Sequence, residues 1–586
     1  MAWWIQIVPR PAVSAAVRLI LRATPRLNLP LSSPSPSPSL SSASASASVA
    51  PFLRGEPGSL LLGGFGGIHR ATLASPSTPR PEQLRSDTGP PFGFRWALSL
   101  CLLLTAQLFP SATASSHLLS ASTCLPLSAS SLAESISFNQ SSPLFSPSLD
   151  LNSSCPQNIL AQTDKMGSLP GAIPPVRVFI VGTSYGGVSA ALNLLDLSSG
   201  KPPRLAHTPY EHHPDFKNIP IDITIADERD GYFHIIGTPL AFADSKYAAK
   251  SWVKFDDIPS LQRPNVRFVQ GSVSKVDPAT KTATVLDHVT KQPRNYSYDF
   301  LIAASGLRRV FPVVPQSLTR KQFLLEAEEQ IRSVKNAPDG VVVVGGGAVG
   351  IEMAAELKLS EPSTKVTLVH SRDKLLSSED LPDECKDKAL ELTREAGVEV
   401  LMSHRVKETR ELDTPAENGR ARYEIEFTNG TKLVASQVIM AISRSVPSTD
   451  YFPAAAKDEQ GFVKVHPNLV LSGDVPNARD HLAVGDIALW SGIKRCGSAM
   501  HMGHYAAINA HQLMLAKLTG HAHKPTFSEL GHVEPMIGLA IGKKAVASGP
   551  LVGTTWGEDV MHAYFKDDLG FDNCWNHMKM GQAPES

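Results

Sequence analysis

This chain of 586 residues has few cysteines and no net charge. A formal net charge of zero gives no indication of a nucleic-acid partner. The cysteines form no CxxC or CxxxxC pair, which argues against a disulfide framework, a zinc knuckle and a redox-active dithiol. We therefore predict no metal site. The six cysteines are Cys101, Cys124, Cys155, Cys385, Cys496 and Cys574.

The first part of the chain lacks acidic residues before Glu56 and has no methionine between Met1 and Met166. It is rich in Ser, Pro, Ala and Leu, so we expect 1–170 to be a low-complexity, disordered or targeting extension. Its early arginines among apolar residues are typical of a mitochondrial transit peptide. The apolar run Trp96–Phe109 is short for a membrane span. The sequence leaves three possibilities open: a cytoplasmic protein, a mitochondrial protein, or a gene model that is extended too far at its start.

Residues Gly340–Leu357 carry the clearest motif. Val341–Val344 is apolar and β-branched without alternation, as a parallel strand buried on both faces requires. Gly345-x-Gly347-x-x-Gly350 follows at once, and then a helix-forming run. In this spacing the first glycine makes a tight turn, the second lets a pyrophosphate approach, and the third lets helix pack on strand. We expect the phosphates at the helix N-terminus, where the dipole favours an anion.

A second strand-turn-helix motif comes earlier, with Ser184 at the middle glycine position between Gly182 and Gly187. The serine hydroxyl could itself donate to a phosphate. The following strand, Ile221–Ala226, ends at Asp227, and an acid in this position accepts the ribose hydroxyls of a bound adenosine. The alternative is that Asp227 is a solvated turn residue.

The strand after the Gly345 motif, Lys365–Val369, ends in His370 and Arg372 in place of an acid. No carboxylate would repel a 2′-phosphate there, and an arginine is in reach. We therefore expect this site to accept NADPH as well as NADH.

Asp486 follows a third apolar strand, far along the chain from the first motif, where a carboxylate can hold a ribityl or ribose hydroxyl. Two phosphate-binding folds, the second inserted in the first, imply one tightly held dinucleotide and one that exchanges. The chemical interpretation is a flavin in the first site that is reduced by a nicotinamide from the second.

In their order along the chain, these motifs resemble those of the pyridine nucleotide-disulfide oxidoreductase superfamily, without its redox disulfide. Within it, Gly345–Leu357 followed by Lys365–Ser371 closely resembles the apoptosis-inducing-factor-like and ferroptosis-suppressor-like group, and the chain is similar to its fungal type. The resemblance implies an FAD-dependent NAD(P)H oxidoreductase that reduces quinones.

The resemblance also implies an α/β fold with two Rossmann-like domains of the glutathione-reductase type, the second inserted in the first. A small C-terminal segment completes it. We expect the FAD-binding domain at 171–325 and 444–522, the NAD(P)H-binding domain at 326–443 and the C-terminal segment at 523–586.

The contacts to each cofactor follow from the same resemblance. Those implied for FAD are Gly182, Ser184, Gly186 and Gly187 at the pyrophosphate, Asp227 at the adenosine ribose, Val273 at the adenine and Asp486 at the ribityl chain. Those implied for NAD(P)H are Gly345, Gly347, Gly350 and Glu352, with His370 and Arg372 beside them. Arg229, Ser305 and Gly306 are further candidates. An arginine that some members carry is Leu240 here, which removes one expected FAD contact.

Lys494 and His504 are the candidate catalytic residues. Lys494 matches a family lysine near the flavin, where it would stabilise negative charge on the reduced ring; a surface lysine is the alternative. His504 would donate a proton to a quinone oxygen. A packing role is the alternative for His504, and equally for His234 and His501. Without a partner cysteine, Cys496 is expected to be a small core residue.

Three hypotheses remain. The first is an NAD(P)H:quinone-type reductase with a small-molecule acceptor. The second changes the acceptor: a type-II NADH dehydrogenase on a membrane surface, or a reductase of a ferredoxin or electron-transferring flavoprotein. The third is a regulatory NADH-binding flavoprotein with little turnover. The oligomeric state is not predicted.

Overall fold

The structure, a computed structural model, describes residues 173–204, 209–442 and 446–584. The interpretations of 1–170 lie outside these residues. The helices are α1 (Tyr185–Ser198), α2 (Thr238–Ala241), α3 (Ser245–Ser251), α4 (Arg320–Lys335), α5 (Ala348–Ser360), α6 (Asp383–Glu395), α7 (Cys496–Leu518), α8 (Glu558–Tyr564) and α9 (Phe571–His577).

The strands are given in two groups, those that precede helix α4 along the chain and those that follow it. Those before it are β1 (Val176–Val181), β2 (Ile221–Asp227), β3 (Gly231–Phe233), β4 (Trp252–Lys254), β5 (Val266–Asp277), β6 (Thr282–Asp287), β7 (Pro293–Ser297), β8 (Phe300–Ala303) and β9 (Leu307–Arg308). Those after it are β10 (Val341–Val344), β11 (Val366–Val369), β12 (Glu399–Leu401), β13 (Val406–Glu411), β14 (Tyr423–Phe427), β15 (Lys432–Ala435), β16 (Gln437–Met440), β17 (Val446–Pro447), β18 (His481–Ala483), β19 (Ile537–Ile541), β20 (Lys544–Gly549) and β21 (Gly553–Gly557).

The larger sheet has the order β18-β8-β1-β2-β5-β6-β7. Its first five strands are parallel, and β5, β6 and β7 continue as an antiparallel meander. Strand β1 lies between β2 and β8, so its loop opens at the point where the strand order reverses. Ligands of open parallel sheets bind at such a point.

A second parallel sheet, β12-β11-β10-β16, is formed by residues between β8 and β18 of the first sheet. The chain leaves the larger sheet after β8, builds this second unit and returns as β18 directly beside β8. The predicted fold class, with the second dinucleotide fold inserted in the first, is therefore confirmed. The domain bounds given above stay predictions.

Helices and a small sheet cover the second parallel sheet on opposite faces. Val341 and Val343 share a core with Ile351 of α5. On the other face, Val344 shares a core with Phe427 of the antiparallel β13-β14-β15 sheet. Because both faces are covered, β10 is buried along its whole length, as its uniform apolar sequence predicts.

Helices α1 and α7 cross closely under the larger sheet. A Cβ at Gly503 would lie 2.3 Å from the Gly186 carbonyl oxygen. The Ser189 hydroxyl donates to the Met500 carbonyl at 2.7 Å. These contacts fix the first turns of α1 against the second and third turns of α7.

The C-terminal segment is built into both cores. Leu539 and Val546, from the β19-β20-β21 sheet, pack in the core of the second unit. Phe571 and Met578 pack in the core of the first. Among the described residues, none of the helices has the length and apolar character needed to cross a membrane.

Candidate functional site

The loop after β1 makes a tight cradle at the start of α1. Gly182 has a φ of +88°, and a Cβ at Gly187 would lie 1.9 Å from the Gly182 carbonyl oxygen, so both positions require glycine. Ser184 is the N-cap of α1 but makes no capping bond, and its buried Oγ has no hydrogen-bond partner among the described residues. An unsatisfied hydroxyl at a helix N-terminus fits a phosphate group.

The loop after β10 repeats this geometry. Gly345 has a φ of +124°, and a Cβ at Gly350 would lie 1.8 Å from the Gly345 carbonyl oxygen. A Cβ at Gly347, the N-cap of α5, would meet nothing within 4 Å. The first and third glycines are therefore fixed by protein contacts, whereas the second faces open space in which a pyrophosphate fits.

Asp227, at the end of β2, is tied to the first cradle. Its carboxylate accepts hydrogen bonds from Thr183 N at 2.6 Å and Thr183 Oγ1 at 2.8 Å, and from Arg229 N at 2.9 Å. Burial raises the pKa of Asp227, and these bonds oppose the rise. The carboxylate is engaged in the turn rather than solvated, and its ribose contact stays a prediction.

The Arg229 side chain lies against protein. Its guanidinium donates to the Pro315 carbonyl at 3.3 Å and lies 6.0 Å from the centre of the Trp252 ring. Its Nε is buried with no hydrogen-bond partner among the described residues. The structure therefore gives Arg229 a place beside the first cradle, while contact with a cofactor stays a prediction.

Glu228 forms an ion pair that the sequence did not indicate. Arg308 donates to both of its carboxylate oxygens, at 2.5 and 2.6 Å. Burial alone would raise the pKa of Glu228, but Arg308 lowers it overall. Ser272 Oγ also donates to Glu228 at 2.8 Å, which places the neighbouring Val273 at the end of β2, where the adenine contact is predicted.

Ser305 and Gly306 follow β8 and lie beside the first cradle. A Cβ at Gly182 would lie 2.9 Å from the Ser305 Cα. The Ser305 hydroxyl donates to the Ser448 carbonyl at 2.7 Å and so binds the returning chain. Gly306 has a φ of +69°, and a Cβ at this position would meet nothing within 4 Å. Gly306 therefore faces open space, whereas the Ser305 side chain is bonded to protein.

His370 and Arg372 both line the second cradle, as their place after β11 predicts. His370 Nδ1 accepts a hydrogen bond from Gly346 N at 3.1 Å, and its Nε2 lies 2.9 Å from Ser377 Oγ. Arg372 Nη1 donates to the Ser377 carbonyl at 2.9 Å. His370 therefore binds the glycine loop itself, while Arg372 is an exposed cation among the residues that line the large cavity.

Two glutamates lie one turn apart on α5: Glu356 is buried, and Glu352 is half-buried on the wall of a cavity. Glu352 accepts a hydrogen bond from Ala540 N of β19 at 3.2 Å. Burial raises the pKa of Glu352 to about 8, and burial likewise raises the pKa of Glu356 to about 8. Both are therefore mostly protonated at neutral pH, a property that the sequence motif alone did not reveal.

Asp486 is the centre of a small charged group. Arg309 Nη2 lies 3.7 Å from Asp486 Oδ2. Burial raises the pKa of Asp486, whereas Arg309 and Lys494 oppose the rise. Lys494 Nζ donates to the Ala488 carbonyl at 2.6 Å, and burial lowers the pKa of Lys494. Lys494 is thus a partly buried cation beside Asp486, not a surface loop lysine.

The histidines have different surroundings. His504 is buried on α7 with Nδ1 3.1 Å from Asn193 Oδ1, yet it also lines the large cavity. His234 is fully buried between the Tyr185 hydroxyl, at 3.2 Å, and the Leu569 carbonyl, at 3.1 Å. Burial lowers the pKa of His234 to about 4, so this ring is neutral and structural.

One cavity of about 2060 Å³ joins several of these groups. Small-molecule pockets usually measure roughly 300–1,000 Å³, so this one has room for more than one ligand. Its walls include the Gly345–Gly347 loop, Glu352, Lys494 and His504. The second glycine loop and both candidate catalytic residues therefore line the same cavity.

The comparison with protein families decides the interpretation of this arrangement. The family described as pyridine nucleotide-disulphide oxidoreductase matches residues 176–503. The chain belongs to this family. Members of this family are NAD(P)H-dependent flavin oxidoreductases that bind FAD. The predicted cofactors, FAD and NAD(P)H, are therefore confirmed.

Individual relatives agree with the predicted resemblance. Oxidoreductase OXR1 of Ajellomyces capsulatus is 46% identical over 79% of this chain and 98% of that protein. Ferroptosis suppressor protein 1 of Mus musculus is 29% identical over 57% of this chain and 79% of its own. Apoptosis-inducing factor homolog B of Dictyostelium discoideum is 24% identical over 57% of this chain and 79% of its own.

Sequence reasoning missed three contributions to the site. Arg308 and Arg309 follow the small-residue turn at Gly306, and an arginine pair next to a predicted cofactor loop was the available signal. Cys574 comes from the C-terminal segment, and no local pattern connects it to the site. Within the described residues, no group of three or more His, Cys, Asp or Glu is arranged to hold a metal ion.

Proposed function

We propose that this oxidoreductase passes electrons from NAD(P)H to a small quinone-type acceptor. The observation that carries the proposal is the single cavity shared by the Gly345–Gly347 loop, Lys494 and the C-terminal segment. A flavin in the first site takes a hydride and releases electrons singly or in pairs. An acceptor would then bind in the remaining space.

The walls of the cavity suit a flat, partly apolar acceptor. Tyr505 and Ile508 of α7 and Phe527 beyond it provide apolar surface. Lys494 and His504 lie on the same walls. We propose that Lys494 stabilises negative charge on the reduced ring and that His504 gives a proton to an acceptor oxygen.

The nicotinamide cofactor would be held by the glycine loop and by Arg372 at the rim. Glu352, protonated at neutral pH, would not repel its phosphates or an electron-rich ring. Burial of Glu352 under the Ala540 backbone also fixes its position. These groups support a binding mode in which the nicotinamide cofactor extends from the second cradle toward the interior of the cavity.

The test is anaerobic reduction of the full chain, followed by its visible spectrum. We expect NADH or NADPH to bleach a flavin spectrum quickly and a short-chain quinone to restore it. In Lys494→Met, bleaching and reoxidation by the quinone should slow at least tenfold, whereas the matched change Lys464→Met should not alter either.

Two outcomes would contradict the proposal. Bleaching that neither quinone nor oxygen reverses would favour a regulatory flavoprotein with little turnover. Reoxidation only by an oxidised electron-transfer protein, such as a ferredoxin, would favour the protein-acceptor alternative.

A further inference from the structure

A second, smaller cavity is lined by residues of α3, β4, α4 and α9 and shares no lining residue with the large cavity. It measures about 720 Å³, which falls within the roughly 300–1,000 Å³ of small-molecule sites. None of the residues predicted to hold FAD or NAD(P)H lines it. We call it the basic pocket, because its charged lining residues are four cations and one carboxylate: Lys250, Lys254, Arg320, Lys321 and Asp257.

The first turn of α4 carries charges of the sign that is unfavourable there. Arg320 and Lys321 are its first two residues, and this turn contains no acidic side chain. The N–H groups at a helix N-terminus carry a partial positive charge, so a cation nearby is destabilising and an anion is stabilising. Two cations at this end of a 16-residue helix, both lining a cavity, indicate that the position is suited to a bound anion.

The Arg320 guanidinium is held in place on the pocket wall. Its Nε donates to the Trp252 carbonyl at 3.0 Å, and its Nη2 donates to the Ala249 carbonyl at 2.8 Å. A guanidinium has five N–H groups, so donors remain for a ligand. Lys254 and Lys321 are exposed, and neither forms a salt bridge with another described residue. Their ammonium groups are therefore available to the same anion.

The opposite contribution to the pocket is aromatic. Phe571 and Trp575 lie one turn apart on α9 and are stacked, with ring centres 5.7 Å apart and planes 15° apart. Lys250 Nζ lies 5.2 Å from the centre of the Phe571 ring. Lys250 is neutralised by salt bridges to Asp568 at 2.8 Å and Asp572 at 2.9 Å. Lys250 thus supports the aromatic surface, against which a flat ring packs favourably.

Helix α9 has a different cavity on each of two faces. Phe571 and Trp575 line the basic pocket, whereas Asn573, Cys574 and His577 line the large cavity. The helix is only seven residues long. A ligand that packs on Phe571 and Trp575 therefore also restrains the residues that form part of the wall of the large cavity.

We propose that the basic pocket binds a phosphorylated aromatic molecule, with the phosphate on Arg320, Lys254 and Lys321 and the ring on α9. These three cations against the single carboxylate of Asp257 leave an excess of two positive charges. A phosphate monoester carries a charge of about −1.5 to −2 at pH 7, which matches this excess. A nucleoside monophosphate and a simple aryl phosphate share this chemistry. The bound ligand restrains α9, whichever electron acceptor the enzyme uses.

Isothermal titration calorimetry tests the binding, on the full chain loaded with flavin and saturated with NAD⁺ so that both dinucleotide sites are occupied. The probes are AMP, phenyl phosphate, inorganic phosphate and phenol. We expect AMP or phenyl phosphate to bind at least about tenfold more tightly than inorganic phosphate or phenol, because each of the last two offers only one of the two contacts. Tighter binding of AMP assigns the pocket to a nucleotide, and tighter binding of phenyl phosphate assigns it to a simple aryl phosphate.

Variants locate the site. The double variant Lys254→Glu/Lys321→Glu changes two exposed positions and should weaken binding of the tighter probe at least about tenfold, because it reverses the charge around the phosphate. Lys246→Glu, at an exposed position of α3 outside the pocket, is the matched control and should change the affinity by less than about twofold. Trp575→Leu should weaken phenyl phosphate and leave inorganic phosphate unchanged.

Alkylation of Cys574 measures the restraint on α9, because this thiol lines the large cavity. A saturating concentration of the tighter probe should slow its reaction with N-ethylmaleimide, followed by mass spectrometry of the digest, at least about threefold. The Lys254→Glu/Lys321→Glu variant should show no slowing at the same concentration.

Three results would overturn the proposal. Equal affinities for phenyl phosphate and inorganic phosphate would remove the aromatic contact, and full affinity in the double lysine variant would place the ligand elsewhere. An unchanged rate of Cys574 alkylation in the saturated protein would show that α9 does not respond to the ligand.

Discussion

At the scale of single residues, the two cradles show which glycines are required by the fold and which by a ligand. Gly187 and Gly350 each face a carbonyl oxygen of their own loop at less than 2 Å from a Cβ position. Gly347 faces open space. Glycines of the same motif therefore have different roles, one in the fold and one in ligand binding. Substitutions at the two positions should separate these roles.

Gly350→Ala should destabilise the protein, because its Cβ would lie 1.8 Å from the Gly345 carbonyl oxygen and the loop has to open. We expect a loss of roughly 2 kcal/mol or more, as for other overpacked sites. Gly347→Ala should leave the free energy of unfolding nearly unchanged and raise the KM for NAD(P)H instead. Thermal denaturation and steady-state kinetics measure both. Equal stability of the two variants would contradict this division of roles.

Glu356 should make stability depend on pH. Its pKa rises from 4.5 in the unfolded chain to about 8 when buried, so the native state binds its proton more tightly. Glu356→Gln should therefore gain stability relative to the wild type as pH rises from about 4.5 to 8, by about 1.4 kcal/mol for each unit of pKa shift.

Chemical denaturation at pH 5 and pH 8 measures this difference. Glu328→Gln, which removes an exposed carboxylate of α4, is the control. A Glu356→Gln effect that is independent of pH would show that this carboxyl does not titrate in the window.

At the scale of elements, the ends of β2 and β11 occupy corresponding places in the two parallel sheets and differ in charge. Asp227 ends β2 with a carboxylate bonded to the first cradle. His370 takes the corresponding position after β11 and accepts a hydrogen bond within the second cradle, with Arg372 at the rim. The two cradles therefore differ in the charge beside them, a carboxylate at the first and an arginine at the second.

Arg372→Ala should raise the KM for NADPH about tenfold or more and leave the KM for NADH within about twofold. A hydrogen bond to a charged group contributes about 1.5–3 kcal/mol, and only NADPH carries the 2′-phosphate that Arg372 would bind. Arg394→Ala, at an exposed position in the last turn of α6, is the control. An equal rise for both nucleotides would assign Arg372 to the shared part of the cofactor.

At the scale of the whole molecule, the C-terminal segment connects both nucleotide-binding units. It provides β19 to the core around α5, the Ala540 N–H to Glu352, and α9 to the core around α1. Two of its aromatic residues, Phe565 and Phe571, are buried, whereas Trp556 is 42% exposed.

A chain that ends at residue 524 should fail to fold cooperatively and should retain little flavin. Burial of each large apolar side chain contributes roughly 1.5–3 kcal/mol, and Leu539, Ile541 and Phe571 are all buried. Their loss approaches the roughly 5–15 kcal/mol that stabilises a typical protein. The flavin-to-protein ratio and the unfolding transition are the measurements. Leu551→Ser, at a position that is 64% exposed, is the control and should leave both unchanged. A truncated chain that keeps its flavin would show that the segment is an appendage.

The sequence by itself determined the two dinucleotide folds, because their signals are local. A β-branched run, a glycine spacing and a helix-forming run lie within about twenty residues, and steric rules allow few conformations for that order. The same locality made Gly182, Gly187, Gly345 and Gly350 predictable. The insertion of one fold in the other could also be inferred, since the motifs occur in nested order.

Only the tertiary structure decided which distant groups meet. The pairing of Arg308 with Glu228 and the high pKa of Glu352 depend on strands and helices that return from elsewhere in the chain. Burial and charge are properties of the surrounding atoms, and a linear pattern does not contain those neighbours.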